Sequence, residues 1–243
     1  MKLFIKKANS FIKDLLLVSR IGLLFAPFRF ILKFLLNFSL LSSWVHKYSR
    51  TAAFSDFYKP LRNYHNRINL FTKVSKSENL SANPIHYFEF GVASGTSFTW
   101  WLSHNNHPDS RFYGFDTFEG LPEDWHFHKK GDFSYSVPGI IDNRGTFIKG
   151  LFQETLYRFL DEYPKKQAVT RVIHMDADLY SSTLFALTML APYLRKGDII
   201  FFDEFNIPNH EFAAWHDFVR SYYIKYEVAG AVNNFYQTCF KIN

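Results

Sequence analysis

The chain has 243 residues with 28 Lys plus Arg against 22 Asp plus Glu, and its 29 Phe, 14 Tyr and 5 Trp make it rich in aromatic side chains. A composition of 47% hydrophobic and 21% charged residues excludes a disordered tail and a collagen-like repeat, and the length suits one domain with an appendage better than two large domains. The net charge of +6 is uneven, because residues 1–80 hold 14 basic and 3 acidic side chains while residues 81–243 sum to −5.

The first 46 residues interleave Lys2, Lys6, Lys7, Lys13, Arg20, Arg29 and Lys33 with Phe, Leu and Ile. Lys6, Lys13 and Arg20 recur every seven residues, while Phe4, Ala8, Phe11, Ile12, Leu15 and Val18 take the other side of a helical wheel, which predicts an amphipathic helix. Pro27 is expected to end or kink it, and Arg29, Lys33 and Asn37 then form the polar stripe of a second helix. A span needs about 20 largely apolar residues. The longest uncharged run covers only 34–45, so a membrane-crossing helix is not expected, nor is a cleaved secretory leader with Arg20 and Arg29 inside its apolar region. Two readings of residues 1–46 remain: helices packed on the main domain or on a twin subunit, or a peripheral contact with an anionic membrane surface. Nucleic acid is not expected as a partner, because the lysines alternate with large aliphatics. Phe57, Tyr64 and Phe71, spaced by seven, predict a further helix packed beneath a sheet. The basic helical extension is assigned to 1–80 and the main domain to 81–243.

From residue 85 the pattern becomes short apolar runs separated by helical stretches, the signature of an α/β fold with a mostly parallel sheet. Strands are predicted at 85–90, 111–115, 146–150, 171–175, 198–202, 226–229 and 236–241, and helices at 97–103, 153–163, 182–194 and 211–223. The last two strands are expected to close as a hairpin through Val232, Asn233 and Asn234. Cys239, the single cysteine, reads as a buried strand residue and excludes a disulfide or multi-cysteine metal site, in keeping with a cytoplasmic setting.

In open parallel sheets ligands bind beyond the carboxyl ends of the strands. The first strand runs into Glu89, Gly91, Ser94, Gly95 and Ser97, a glycine-bearing turn that feeds a helix N-terminus. Its Gly-x-x-x-Gly spacing is not the G-x-G-x-x-G dinucleotide fingerprint, which speaks against NAD, since a pyrophosphate needs a closer backbone approach, whereas the carboxylate and sulfonium of S-adenosylmethionine do not. Asp116 and Thr117 end the second strand, where a carboxylate can accept from two ribose hydroxyls. Asp176, Asp178, Asp203 and Glu204 end the fourth and fifth strands, and a hard divalent cation such as Mg²⁺ would relieve the repulsion among them.

The motifs DTFEGLP at 116–122, GLFQETL at 150–156, DADLYSST at 176–183 and GDIIFFDE at 197–204 together resemble the macrocin O-methyltransferase family, in the expected order from about residue 85 to 223. The resemblance implies a class I methyltransferase (Rossmann-like) fold with a seven-stranded, mostly parallel sheet. It also implies S-adenosylmethionine as methyl donor, Mg²⁺ dependence, and transfer to a hydroxyl, often of a sugar. By position it makes Asp176, Asp203 and Glu204 the metal ligands, with Asp176 also near the cofactor, and Asp178 the general base. Relatives often carry two aspartates where this chain has Asp203 and Glu204, and an aromatic-Arg-Gly-Gly run where it has Ala93, Ser94, Gly95 and Thr96. The basic helices have no counterpart in the pattern.

The long segment 123–145 holds Trp125, His126, His128, Phe133 and Tyr135 and reads as a lid whose aromatics stack on an acceptor and whose histidines assist proton transfer, or as a surface loop. Two rival functions stand beside sugar O-methylation: a metal-dependent methyltransferase of the catechol or phenol type, and a membrane-associated protein that keeps the fold without catalysis. A homo-oligomer is compatible with all three.

Overall fold

The computed structural model describes residues 2–125, 127–164 and 168–243. The main domain is a seven-stranded sheet in the order β3-β2-β1-β4-β5-β7-β6, built from β1 (Ile85–Phe90), β2 (Arg111–Asp116), β3 (Gly145–Lys149), β4 (Thr170–Met175), β5 (Ile199–Phe202), β6 (Tyr226–Val232) and β7 (Gln237–Ile242). The first five strands pair in parallel, and β7 enters antiparallel between β5 and β6. All seven predicted strands form, and the β6–β7 hairpin turns through Asn233, Asn234 and Phe235, each with positive φ.

Helices cover both faces because the strands are apolar on both. Side chains alternate along β1: Phe88 and Phe90 join α5 (Phe152–Glu162), α6 (Tyr180–Leu190) and α7 (Glu211–Ser221) on one side. Ile85 and Tyr87 join α3 (Asn66–Ser77) and α4 (Thr96–His104) on the other. The α3 helix starts at Asn66, so of the seven-spaced aromatics only Phe71 is buried, while Phe57 and Tyr64 are exposed. Segment 49–65 is held by main-chain bonds to β6, Ala53 N to Val228 O and Ala231 N to Phe54 O, and Asp56 accepts from the Asn233 and Asn234 amides. Arg171 and Asp198 form a buried ion pair at 3.3 Å, so Arg171 does not serve the carboxylates at the strand ends.

The N-terminal arm is α1 (Lys2–Val18), a 3₁₀ stretch (Ile21–Phe28) and α2 (Arg29–Tyr48). The break after α1 falls at Arg20, whose φ of 54° is left-handed, and Pro27 sits inside the 3₁₀ stretch. Within the helical stretch Ile21–Tyr48 an 18-residue window has mean hydropathy 1.7, and the stretch is by length and composition long and apolar enough to cross a membrane, in contrast to the expectation from uncharged runs alone. Among the described residues, its contacts with the domain begin at Lys33, over the Tyr180 ring. Leu41 is buried, Trp44 packs on Phe205, Phe212, Phe235 and Phe240, and Trp44 Nε1 donates to Tyr226 Oη at 2.9 Å. Along α1 and the first turns of α2 the apolar side chains are exposed.

Candidate active site

The carboxyl ends of β1, β2 and β4 open on a cavity of about 260 Å³ lined among others by Gly91, Ala93, Asp116, Thr117, Leu151, Gln153, Asp176, Asp178 and Glu204. Gly91 is required where it stands: its φ is +92°, and a Cβ there would lie 1.9 Å from the Asp176 carbonyl oxygen. This contact lets the turn after β1 cross the end of β4.

Asp116 organises the cavity floor. Its Oδ2 accepts from the Val92 and Ala93 amides at 2.7 and 2.8 Å, and its Oδ1 accepts from Phe118 N at 2.7 Å. A carboxylate offers roughly four acceptor sites, so the backbone already takes most of them. The expected role of Asp116, accepting from two ribose hydroxyls, thus competes with these backbone donors. Of the other residues expected to hold a cofactor, Gly91, Thr117 and Asp176 line the cavity, while Glu89, Ser94, Gly95 and Ser97 are not among its lining residues. Glu89 is buried within the sheet, accepting from Tyr87 Oη at 2.7 Å, and burial pushes its pKa up to about 8. Ser97 is buried, Ser94 pairs with Thr96, and Gly95 backs onto Pro138.

The acidic edge is more crowded than the sequence motifs imply. Asp178, in a left-handed conformation with φ 57°, lines the cavity, and loss of surrounding water, then Glu204, Asp203 and Asp116, push its pKa up to about 8. Asp176 is raised for the same reason, burial first and then Asp203 and Asp178. Glu211 joins from α7: it is fully buried, its Oε2 accepts from Glu204 N at 3.0 Å, its Oε1 has no partner among the described residues, and its pKa is raised well above the ordinary range by burial and by Glu204. The cation of this edge is Arg67 in the first turn of α3, with Nη1 2.9 Å from Asp203 Oδ2 and 3.8 Å from Asp176 Oδ2. Burial opposes the guanidinium charge, but Asp203, Asp176 and Glu89 outweigh it and raise its pKa.

Oxygen donors alone suit Mg²⁺, but the arrangement of Asp176, Asp203 and Glu204 does not fit a bound ion. Arg67 bridges the first two, and Tyr236 Oη donates to Glu204 Oε1. Among the described residues no three Asp, Glu, His or Cys side chains form a group able to hold a metal. Arg67 and Tyr236 thus already take up oxygens of all three expected ligands.

The segment after β2 is ordered over the cavity. Gly120, with φ +87°, has no room for a Cβ beside Gly131 O, and Leu121 N donates to Asp132 O while Gly131 N donates back to Leu121 O. Trp125 and His128 exchange main-chain bonds, and Trp125 and Leu121 pack on Leu179 next to Asp178. Trp125, Phe133 and Tyr135 line the cavity. His128 lies near Asp132 at 3.5 Å, and His126 lies outside the described residues. Sequence reasoning missed Arg67, Glu211 and Tyr236, which arrive from distant segments. Leu151, Phe152 and Gln153 of the GLFQETL motif form a wall of the cavity.

A family model described as a methyltransferase domain matches residues 88–205, from β1 to just past β5. The calicheamicin methyltransferase CalS11 superposes with a TM-score of 0.57 at 20% identity, covering 84% of this chain and 91% of that one. The fold is that of a class I methyltransferase. The O-methyltransferase NovP shares this methyltransferase fold with a TM-score of 0.53 at 20% identity, over 72% of this chain and 78% of its own. A further CalS11 structure, described as a TDP-rhamnose 3'-O-methyltransferase without ligand, gives 0.51 at 20% identity, over 84% and 92%. A search of curated protein sequences returns no match.

Proposed function

We propose that this protein is an S-adenosylmethionine-dependent O-methyltransferase that acts on a hydroxyl of a sugar or glycosylated metabolite. The observation that carries the reading is Asp178, a carboxylate with its pKa pushed up to about 8, at the wall of a cavity formed by the carboxyl ends of β1, β2 and β4. A base is most effective when its pKa lies near the working pH, and such a group is strong enough to take a proton as an alcohol begins to bond. CalS11, one protein whose two structures share the fold and which is described as a TDP-rhamnose 3'-O-methyltransferase, supports the sugar hydroxyl.

S-adenosylmethionine would bring a methyl group on a positive sulfur. Gly91, Asp116 and Thr117 would hold it, with the Asp116 cluster of amides fixing the loop against which it lies. With it bound, an acceptor hydroxyl would take the methyl group while sulfur would keep the electron pair of the broken carbon–sulfur bond, and Asp178 would receive the hydroxyl proton. Trp125, Phe133 and Tyr135 exclude water and offer flat faces to the apolar side of a sugar ring. Those aromatic walls would equally receive a planar phenol. Release of S-adenosylhomocysteine in a panel of sugar nucleotides, glycosides and catechols separates the two, with the sugars expected to be turned over.

The base assignment is tested by Asp178→Asn. Turnover is expected to fall by about 10²- to 10⁴-fold, with S-adenosylmethionine affinity in calorimetry unchanged. Turnover at the wild-type rate would remove Asp178 from the mechanism.

A further inference from the structure

Residues 2–38 leave a large apolar surface uncovered. Phe4, Phe11, Leu15 and Val18 of α1 are between 57% and 81% exposed, and Ile31, Leu35 and Phe38 of α2 at least half. Contiguous exposed patches of this kind mark an interaction surface. Its charge identifies the occupant. This segment carries seven basic side chains and one acidic, Asp14. A second copy of the same arm would set basic groups against basic groups, whereas an anionic lipid surface complements both the charge and the apolar face.

The outer face of α2 also changes character at one level. Up to Phe38 it presents Ile31, Leu35 and Phe38, and beyond that Ser39, Ser42, Ser43 and His46. The opposite face changes in the reverse sense: Lys33 and Asn37 are polar, then Leu41 and Trp44 enter the domain core. The first residues of the arm to touch the domain do so beside the cavity. Lys33 Nζ lies 5.2 Å from the ring centre of Tyr180, two residues after Asp178, and Asn37 Nδ2 donates at 2.9 Å to Asn209, which precedes His210 and Glu211. His210 in turn lies 6.4 Å, centre to centre, from the Trp125 ring at the cavity wall.

We infer that residues 2–38 lie in the surface of an anionic bilayer and hold the cavity mouth at that surface, so that the methyl acceptor is the hydroxyl of a lipid-anchored sugar. The acceptor half of this inference rests on the methyl transfer proposed above, and the docking half does not.

Full-length protein is floated with vesicles of phosphatidylcholine alone and of phosphatidylcholine mixed with phosphatidylglycerol. Flotation is expected only with the mixed vesicles, weakening as salt is raised. The triple variant Lys6→Glu, Lys13→Glu, Arg20→Glu is expected to lose more than about tenfold in vesicle binding while its thermal unfolding is unchanged. Failure of the wild type to float, or light scattering that shows a stable dimer whose dilution is needed before any flotation, overturns the docking. Radiolabelled methyl donor is then supplied with native membrane vesicles. Label extracted with chloroform supports a lipid-anchored acceptor, and label confined to water-soluble products, with flotation intact, overturns it. Calorimetry that finds no S-adenosylmethionine binding would instead overturn the methyl-transfer reading and leave the flotation result standing.

Discussion

Asp178 and Arg67 define the electrostatics of the site from opposite directions. A base must be ionised to act, so kcat/KM is expected to fall as pH drops below about 8, the value to which burial and neighbouring carboxylates push Asp178. Its pH profile in the Asp178→Asn variant should lose that limb. Arg67 spans the gap between Asp203 and Asp176, and no sequence motif announces it because it stands in α3, more than a hundred residues from either partner. Removing one member of a largely buried ion pair leaves a charge without compensation. Arg67→Ala is therefore expected to lose about 3 kcal/mol in urea unfolding, and Arg67→Lys to recover part of it. Each carboxylate at a strand end was legible from its sequence position alone, since parallel strands send their ends to one edge. What was not legible is which cation meets them and that Glu211 joins them.

At the scale of elements, β1 was bounded to the residue because Ile85–Phe90 is apolar on both faces and flanked by Pro84 and Gly91. The first arm helix ends before Pro27, at Val18, with Arg20 in the left-handed region, while Pro27 sits in the 3₁₀ stretch that leads into α2 at Arg29. The attachment of α2 was also hidden: a tryptophan among serines and histidines shows no periodic signal, yet Trp44 meets four Phe rings of the domain. Truncating a packed aromatic of this size costs about 3–5 kcal/mol. Trp44→Ala is expected to cost that much in global stability and to speed amide exchange over residues 37–48.

For the whole molecule, the buried titratable groups set a pH dependence of stability whose sign is fixed. Glu89 and Asp178 have native pKa values of about 8, well above those of an unfolded chain, so between pH 4 and 8 the native state holds protons that the unfolded state has released. Their contribution is present at low pH and is lost as pH rises. His86 and His174, lowered by burial and nearby arginine to about 4 and about 3, act the other way but only up to about pH 6.5. From pH 6.5 to 8 the carboxylates act alone, and stability is expected to drop by roughly 1–3 kcal/mol, read as a falling urea midpoint. The division of charge along the chain belongs to this scale too. The sequence already placed the positive excess outside the sheet, and the fold adds that α2 carries it to the edge where the acidic groups lie.

The three backbone bonds to Asp116 have a consequence for motion. Its side chain joins the turn after β1 to the turn after β2, and its carbonyl accepts from Gly150 N at 2.9 Å at the start of the loop into α5. Three walls of the cavity thus share a single residue as their common fastening. A ligand gripping any one wall is therefore expected to slow the amide exchange of the other two.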